Sequence, residues 1–342
     1  MSTSNKAFQQ EAVNTRKRIR RIGLAIMLVF LVSLIAVWAL VTQPLLSNPD
    51  INDSVPAVDS SRLEAHVRML SETLFPRDHT RPQNLDRVAD YIRKEFESAH
   101  GVVSDQPYDV GEKTYRNVIA LFGPDTKERI VVGAHYDSAG ARPGSDDNAS
   151  GVAGLIELAN ILGNNTLPMR VELVAFTLEE PPYFNTEKMG SAVHARSLKQ
   201  QGVEVRVMFS LEMIGCFSDA PDSQHFPTSI IKPFYPSRGN FITIISKFGQ
   251  GGIVRSVKRA MRSASSLPVY SINAPRLVPG IDYSDHLNYW RAGYDALMIS
   301  DTAFYRNNRY HTMQDTPDTL DYNRMAMVVQ GVYLAVLAMG QE

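Results

Sequence analysis

Cysteine is nearly absent. Cys216 stands alone in 342 residues, so no intramolecular disulfide can form and the fold must rest on its core. By itself such a residue reads as a small buried hydrophobe. Excess charge is also lacking. The net charge is −1, which argues against nucleic acid as a partner. No internal repeat or low-complexity tract is present. Long apolar runs are scarce too: one, Ile22–Val41, extends for twenty residues without a charge.

That run is about long enough to span a bilayer core as a helix, and Trp38 near its far end suits the interfacial aromatic belt. Ahead of it lie Lys6, Arg16, Lys17, Arg18, Arg20 and Arg21 against Glu11 alone. The rest of the chain keeps 29 of the 35 basic and 35 of the 36 acidic residues, a net of −6. A cleaved signal peptide would have a shorter apolar region, about 7–15 residues, ending in an A-x-A-like site; none lies near the end of this run. We therefore expect a cytoplasmic basic tail (1–21) and an uncleaved transmembrane anchor (22–43). A short Pro/Asn/Asp/Ser tether, Pro44–Ser60, would follow, and then a globular domain (61–342) on the outer side, periplasmic or extracellular.

The globular part alternates between strand-like and helix-like runs. Leu63, Val67, Leu70 and Leu74 form one helical face, and Leu85, Val88, Ala89, Ile92 and Phe96 another, with Asn84 as its N-cap. Strand-like runs fall at Val102–Val110, Tyr115–Phe122, Ile130–Val132, Arg170–Phe176, Val205–Leu211 and Ala296–Ile299. Helix-like runs fall at Met189–Gln201 and Ile253–Ala264, with a closing helix over Asp321–Met339. Such alternation predicts a largely parallel sheet flanked by helices.

The chemistry concentrates where strands end. In Val131–Gly154 an apolar strand leads to Gly133, then His135-x-Asp137. A Gly/Pro-punctuated loop follows, then Asp146, Asp147 and Asn148 just before a helix carrying Val152, Leu155, Ile156, Ala159 and Leu162. Ligands in open α/β sheets bind beyond the carboxyl ends of strands, so an imidazole and a carboxylate meeting there suggest a metal. Asp146 and Asn148 could instead simply cap the helix. Asn148-Ala149-Ser150 is also a glycosylation sequon; a glycan there would obstruct the site, which weakly favours a bacterial envelope. Glu179-Glu180 follows Arg170–Phe176. Adjacent acids raise one another's pKa, and a metal resolves the conflict: one binds the cation while the other moves a proton. Glu212 ends Val205–Leu211 in the same way, and His311 sits in a polar loop. The set His135, Asp147, Glu180, Glu212 and His311 could hold two divalent ions if one carboxylate is shared. Asp137 is placed to accept the second imidazole N–H of His135. Mixed His/carboxylate ligands without cysteine suit catalytic rather than structural zinc.

In order, GAHYDS, PGSDDNASGVAGLIELA, FTLEE, SLEMIG, SDH and YHTMQDTPDTLDY resemble the M28 zinc exopeptidases, the di-zinc aminopeptidase group. The resemblance covers about Ser61 to the C-terminus. It implies an α/β/α sandwich around a mixed, mostly parallel sheet, two zinc ions per chain and a peptide substrate. Position by position, it implies that His135, Asp147 and Glu212 hold one zinc and that Asp147, Glu180 and His311 hold the other. Asp147 would bridge, and Glu179 would be the general base. It also implies a cis Asp147–Asn148 peptide. Three features depart from the pattern: Glu212 stands where many members have Asp, Pro181–Met189 is inserted after Glu180, and the motifs do not assign the oxyanion-stabilising tyrosine, for which Tyr283 and Tyr310 are the candidates. Two other readings of the same motifs are a single-zinc glutaminyl cyclase and a non-catalytic receptor domain. The sequence sets no oligomeric state.

Overall fold

The structure is a computed structural model and describes residues 3–341; Met1, Ser2 and Glu342, at the two ends of the expected segments, lie outside the described residues. In chain order it contains α1 (Thr3–Thr42), α2 (Ser60–Arg68), α3 (Pro82–Ser98), β1 (Val102–Val110), β2 (Lys113–Phe122), β3 (Glu128–His135), α4 (Gly151–Gly163), β4 (Arg170–Phe176), α5 (Gly190–Gln200), β5 (Glu204–Glu212), β6 (Ile242–Ser246), α6 (Gly251–Ala264), β7 (Val269–Asn273), α7 (His286–Ala292), β8 (Ala296–Ser300) and α8 (Tyr322–Gln341).

One sheet takes all eight strands, in the order β1-β2-β4-β3-β5-β8-β6-β7. The pairs β3–β4, β3–β5, β5–β8 and β6–β7 are parallel, and β1–β2, β2–β4 and β6–β8 are antiparallel. The central strands are apolar on both faces because both are covered. Alternate residues divide between two cores. Ile130, Val132, Leu173 and Ala175 meet α2, α3, α4, α6 and α8 on one face; Val131, Val174 and Phe176 meet α5 and α7 on the other. This is the expected α/β/α sandwich around a mixed sheet.

Among the described residues, two helices are long and apolar enough to cross a membrane, Phe8–Thr42 and α8. α8 is half buried in the domain core and carries Val328, Val332 and Val336 against the sheet. The apolar part of α1 is exposed along its length, as a membrane anchor or a signal sequence would be.

Three details differ from the sequence reading. α3 starts earlier than Asn84: Pro82, with φ pre-set for a first helical turn, follows Arg81 as N-cap. Asn84 instead donates to the carbonyls of Leu74 and Pro76, both at 2.6 Å. The 44–60 segment lies along the domain, with the Asn52 N–H on Ser263 O, Arg262 on the Asn48 side chain and Gln330 on Pro56 O. Finally, β6, β7 and α7 were not foreseen.

Candidate metal centre

The site forms at the carboxyl ends of the central strands. His135 is the last residue of β3 and Glu212 the last of β5, and these strands are neighbours. β4, on the other side of β3, runs into the loop bearing Glu179 and Glu180. Asp147 comes from the irregular turn Ser145–Ser150 ahead of α4, and His311 from the loop between β8 and α8.

The Asp147 turn is held from several sides. Gly144 has φ +56, and a Cβ there would lie 2.2 Å from the Asp147 carbonyl oxygen, so only glycine fits. Arg77 is fully buried and donates to the carbonyls of Leu70, Tyr136, Pro143 and Gly144 at 2.7–2.9 Å. The Asp315 carboxylate accepts the Asp146 and Asp147 N–H groups. The Asp147–Asn148 peptide is cis. The Asn148 side chain donates to Leu211 O and accepts from Met213 N and Gly151 N, which ties the turn to the end of β5. Asp146 turns away from His135: its carboxylate accepts from Gly215 N and Asn307 in a separate buried group with Cys216 and Asp301.

Two triads result, His135–Asp147–Glu212 and Asp147–Glu180–His311, each with its ligand atoms within 4.8 Å of one another. His135 Nε2 lies 3.5 Å from Asp147 Oδ1 and 3.4 Å from Glu212 Oε2. His311 Nε2 lies 3.0 Å from Asp147 Oδ2 and 3.3 Å from Glu180 Oε2. Yet His135 Nε2, His311 Nε2, Asp147 Oδ2 and Glu180 Oε1 are buried without a hydrogen-bond partner. Such orphaned groups are costly unless something binds them. Converging lone pairs from two imidazoles and three carboxylates are the donor set zinc takes, and the residues present fit two ions.

Charge is tightly coupled here. Burial pushes the Glu180 carboxyl up, and Asp147 pushes it further. Burial opposes charge on His311, yet Asp147 and Glu180 raise its pKa. Burial also works against the Asp147 carboxylate, but His135 and His311 hold it below the usual range. Glu179, 6% exposed, is raised well above an ordinary Glu, by burial first and then by the Glu212 and Glu180 carboxylates. Its Oε2 is 3.9 Å from His135 Nε2.

Asp137 acts differently from the sequence reading: the His135 imidazole meets its backbone carbonyl rather than its carboxylate. His135 Nδ1 is 3.1 Å from the Asp137 carbonyl oxygen and 3.6 Å from its carboxylate. The two carboxylate oxygens accept the Glu179 and Glu180 N–H groups at 3.1 Å each, so Asp137 aims the acidic pair. Sequence reasoning missed Arg77, Asp315 and Ser284, whose hydroxyl donates to Glu212 at 2.7 Å. For Ser284 and Asp315 the signal was their place inside SDH and YHTMQDTPDTLDY.

Beside Glu212 opens an apolar pocket walled by Phe226, Tyr235, Phe241, Ile281 and Phe304. Both candidate tyrosines line it. Tyr310 stacks on His311 at 3.7 Å between ring centres, and burial raises its hydroxyl pKa, with the four site carboxylates adding to the effect. Tyr283 is 45% exposed at the rim and packs against Phe184 of the inserted segment.

The "Uncharacterized protein YfbL" of Escherichia coli K12 is 46% identical over 79% of this chain and 85% of its own length. "Leucine aminopeptidase 1" of Ajellomyces dermatitidis is 25% identical over 61% of this chain; the alignment spans 52% of that protein. BSAP, a zinc aminopeptidase from Bacillus subtilis, shares the fold at TM-score 0.66 and 15% identity, over 83% of this chain and 95% of its own. A Bacteroides thetaiotaomicron glutaminyl cyclase does so at TM-score 0.61 and 20% identity, over 83% and 99%. The family model of peptidase family M28 matches residues 117–336, a range that takes in every residue of both triads. The chain belongs to peptidase family M28.

Proposed function

We propose that this chain is a membrane-anchored di-zinc aminopeptidase that removes apolar N-terminal residues from peptides outside the membrane. The observation that carries this reading is the pair of triads sharing Asp147, in which both imidazole Nε2 atoms, Asp147 Oδ2 and Glu180 Oε1 lack hydrogen-bond partners. His135, Asp147 and Glu212 would hold one zinc, and Asp147, Glu180 and His311 the other. Zinc held there supplies Lewis-acid activation of a water and of the scissile carbonyl. Glu179 takes the proton of the attacking water and passes it to the departing amine. Of the two candidate tyrosines we favour Tyr310, which stacks on His311, as the donor to the developing oxyanion. The apolar pocket supports an apolar first residue, as does the leucine aminopeptidase relative.

The test is Glu179→Gln, which keeps the shape of the side chain. Zinc content should stay at two per chain while kcat falls by about 10²–10⁴-fold, as expected for loss of a general base. Near-normal turnover would remove Glu179 from the role. The glutaminyl cyclase neighbour supports a second reading, against which both triads are complete. One tightly held zinc together with cyclisation of N-terminal glutamine would favour the cyclase.

For topology, Arg16–Arg21 would hold the N-terminus in the cytoplasm and α1 would remain as an uncleaved anchor. Protease added to intact spheroplasts should remove a C-terminal tag and spare an N-terminal one. The reverse pattern, or a soluble mature form starting after Val41, sinks the anchor.

A further inference from the structure

We propose that the sheet edge where α1 arrives is itself a membrane-contacting surface that lies on anionic lipid headgroups. This rests on the anchor reading of α1 and goes beyond it, because an anchor on a loose tether would leave the domain free to tumble.

Charge is the first observation. Between Asp222 and Asp282 the chain has no acidic residue and eight basic ones, in a protein whose net charge is −1. That stretch builds the short 229–234 turn, β6, α6 and β7, which is one end of the sheet. On α6, Arg255, Arg259 and Arg262 recur at intervals of four and three, so they share a face.

The second observation is how α1 joins this edge. Lys258 is buried and its Nζ donates to Thr42 O at 2.9 Å and to Ser271 Oγ at 3.2 Å. The Ser271 hydroxyl also donates to Thr42 O, at 2.7 Å. A buried ammonium thus caps the carbonyl end of α1, where the helix dipole favours a cation. Arg255 binds the Gln43 side chain. Gly251 lets that side chain in so closely that a Cβ would sit 2.8 Å from it. The 44–60 segment continues the attachment along α6 through Asn48 and Asn52. The end of α1 is keyed to α6 and β7, which fixes the face the domain presents where the helix leaves the bilayer.

Third, bulky apolar side chains stand out to solvent on the same edge. Leu46 is fully exposed just past α1, Ile230 is 76% exposed on the 229–234 turn, and Phe248 is 42% exposed in the loop between β6 and α6. Tyr235, next to that turn, donates to Ser271 O on β7, which places the turn beside the end of α1. Basic side chains interleaved with exposed apolar tips are the composition of segments that lie in the headgroup layer. Basic residues held within a Debye length of an anionic leaflet are attracted to it.

The full chain is reconstituted in nanodiscs of phosphatidylcholine alone or mixed with phosphatidylglycerol. A polarity-sensitive fluorophore is placed on Phe248→Cys in a Cys216→Ser background. A control fluorophore goes on Val102→Cys, at the opposite sheet edge on β1. The emission at 248 should shift to the blue when phosphatidylglycerol is present, and that at 102 should not. Raising the salt concentration should reverse the shift, and Lys247→Glu with Arg259→Glu should abolish it. Identical emission at 248 in the two lipids, or a shift indifferent to salt, overturns the proposal. If the chain washes off liposomes in alkaline carbonate, the anchor reading is what has failed, and this shows before any fluorescence is read.

Discussion

His286 is wholly buried, with Nε2 2.8 Å from the Ile281 carbonyl oxygen and its ring 4.5 Å from that of Trp290. Nδ1 has no partner. Burial pulls its pKa down to about 4, against about 6.5 in an unfolded chain. Between those values the unfolded state binds more protons, so stability falls as the pH drops from 6.5 towards 4 and is unaffected well above 6.5. From pH 7 to pH 5 this one group should cost about 2 kcal/mol. Thermal melts of wild type and His286→Gln at the two pH values isolate it from every other acid-sensitive group. The variant should lose less Tm over that interval, and equal losses would show that His286 does not titrate in this range.

At the scale of elements, the turn that carries Asp147 depends on one guanidinium. Replacing Arg77 by Met would take a donor from four carbonyl oxygens, of which Gly144 O keeps the Ala149 N–H, at a cost of about 3–5 kcal/mol. The expected result is a large loss in denaturant midpoint together with weaker zinc retention, because the 143–147 backbone is released. Retained stability would mean that water replaces Arg77 there. Nothing around Arg77 in the sequence signals this, since its partners lie up to 67 residues away and are backbone atoms with no side-chain identity. The five metal-site candidates were legible for the opposite reason: four of them fall just past an apolar strand or ahead of an apolar helix. Their second layer was less so. Asp315 reaches Asp146 across 169 residues, and only the resemblance drew attention to its segment. Among the elements, β7 alternates buried and half-buried residues and could have been read as a strand. β6 has five residues and α7 seven, too few for periodicity to separate strand from helix. The long, strongly apolar runs of the central sheet were read correctly because burial on both faces leaves no polar interruption.

For the whole molecule, a cluster of three carboxylates and two imidazoles is a folding liability without a cation. Ligand that binds only the native state stabilises it, by about 4 kcal/mol at a thousandfold excess over Kd. Chelation should therefore lower Tm and zinc should restore it. Cys216 offers a second way to see this. Its thiol is buried, and burial first, then Asp301, hold it far above the ordinary cysteine range, so the native protein should resist alkylation. Only molecules that open will react, which makes the lone cysteine an internal clock of unfolding events. Pulsed labelling with a thiol reagent would read that clock in intact membranes, with no purified enzyme and no substrate. Metal removal should speed the labelling by up to about a thousandfold. A rate indifferent to chelation would mean that Cys216 is exposed by motions that leave the metal site closed.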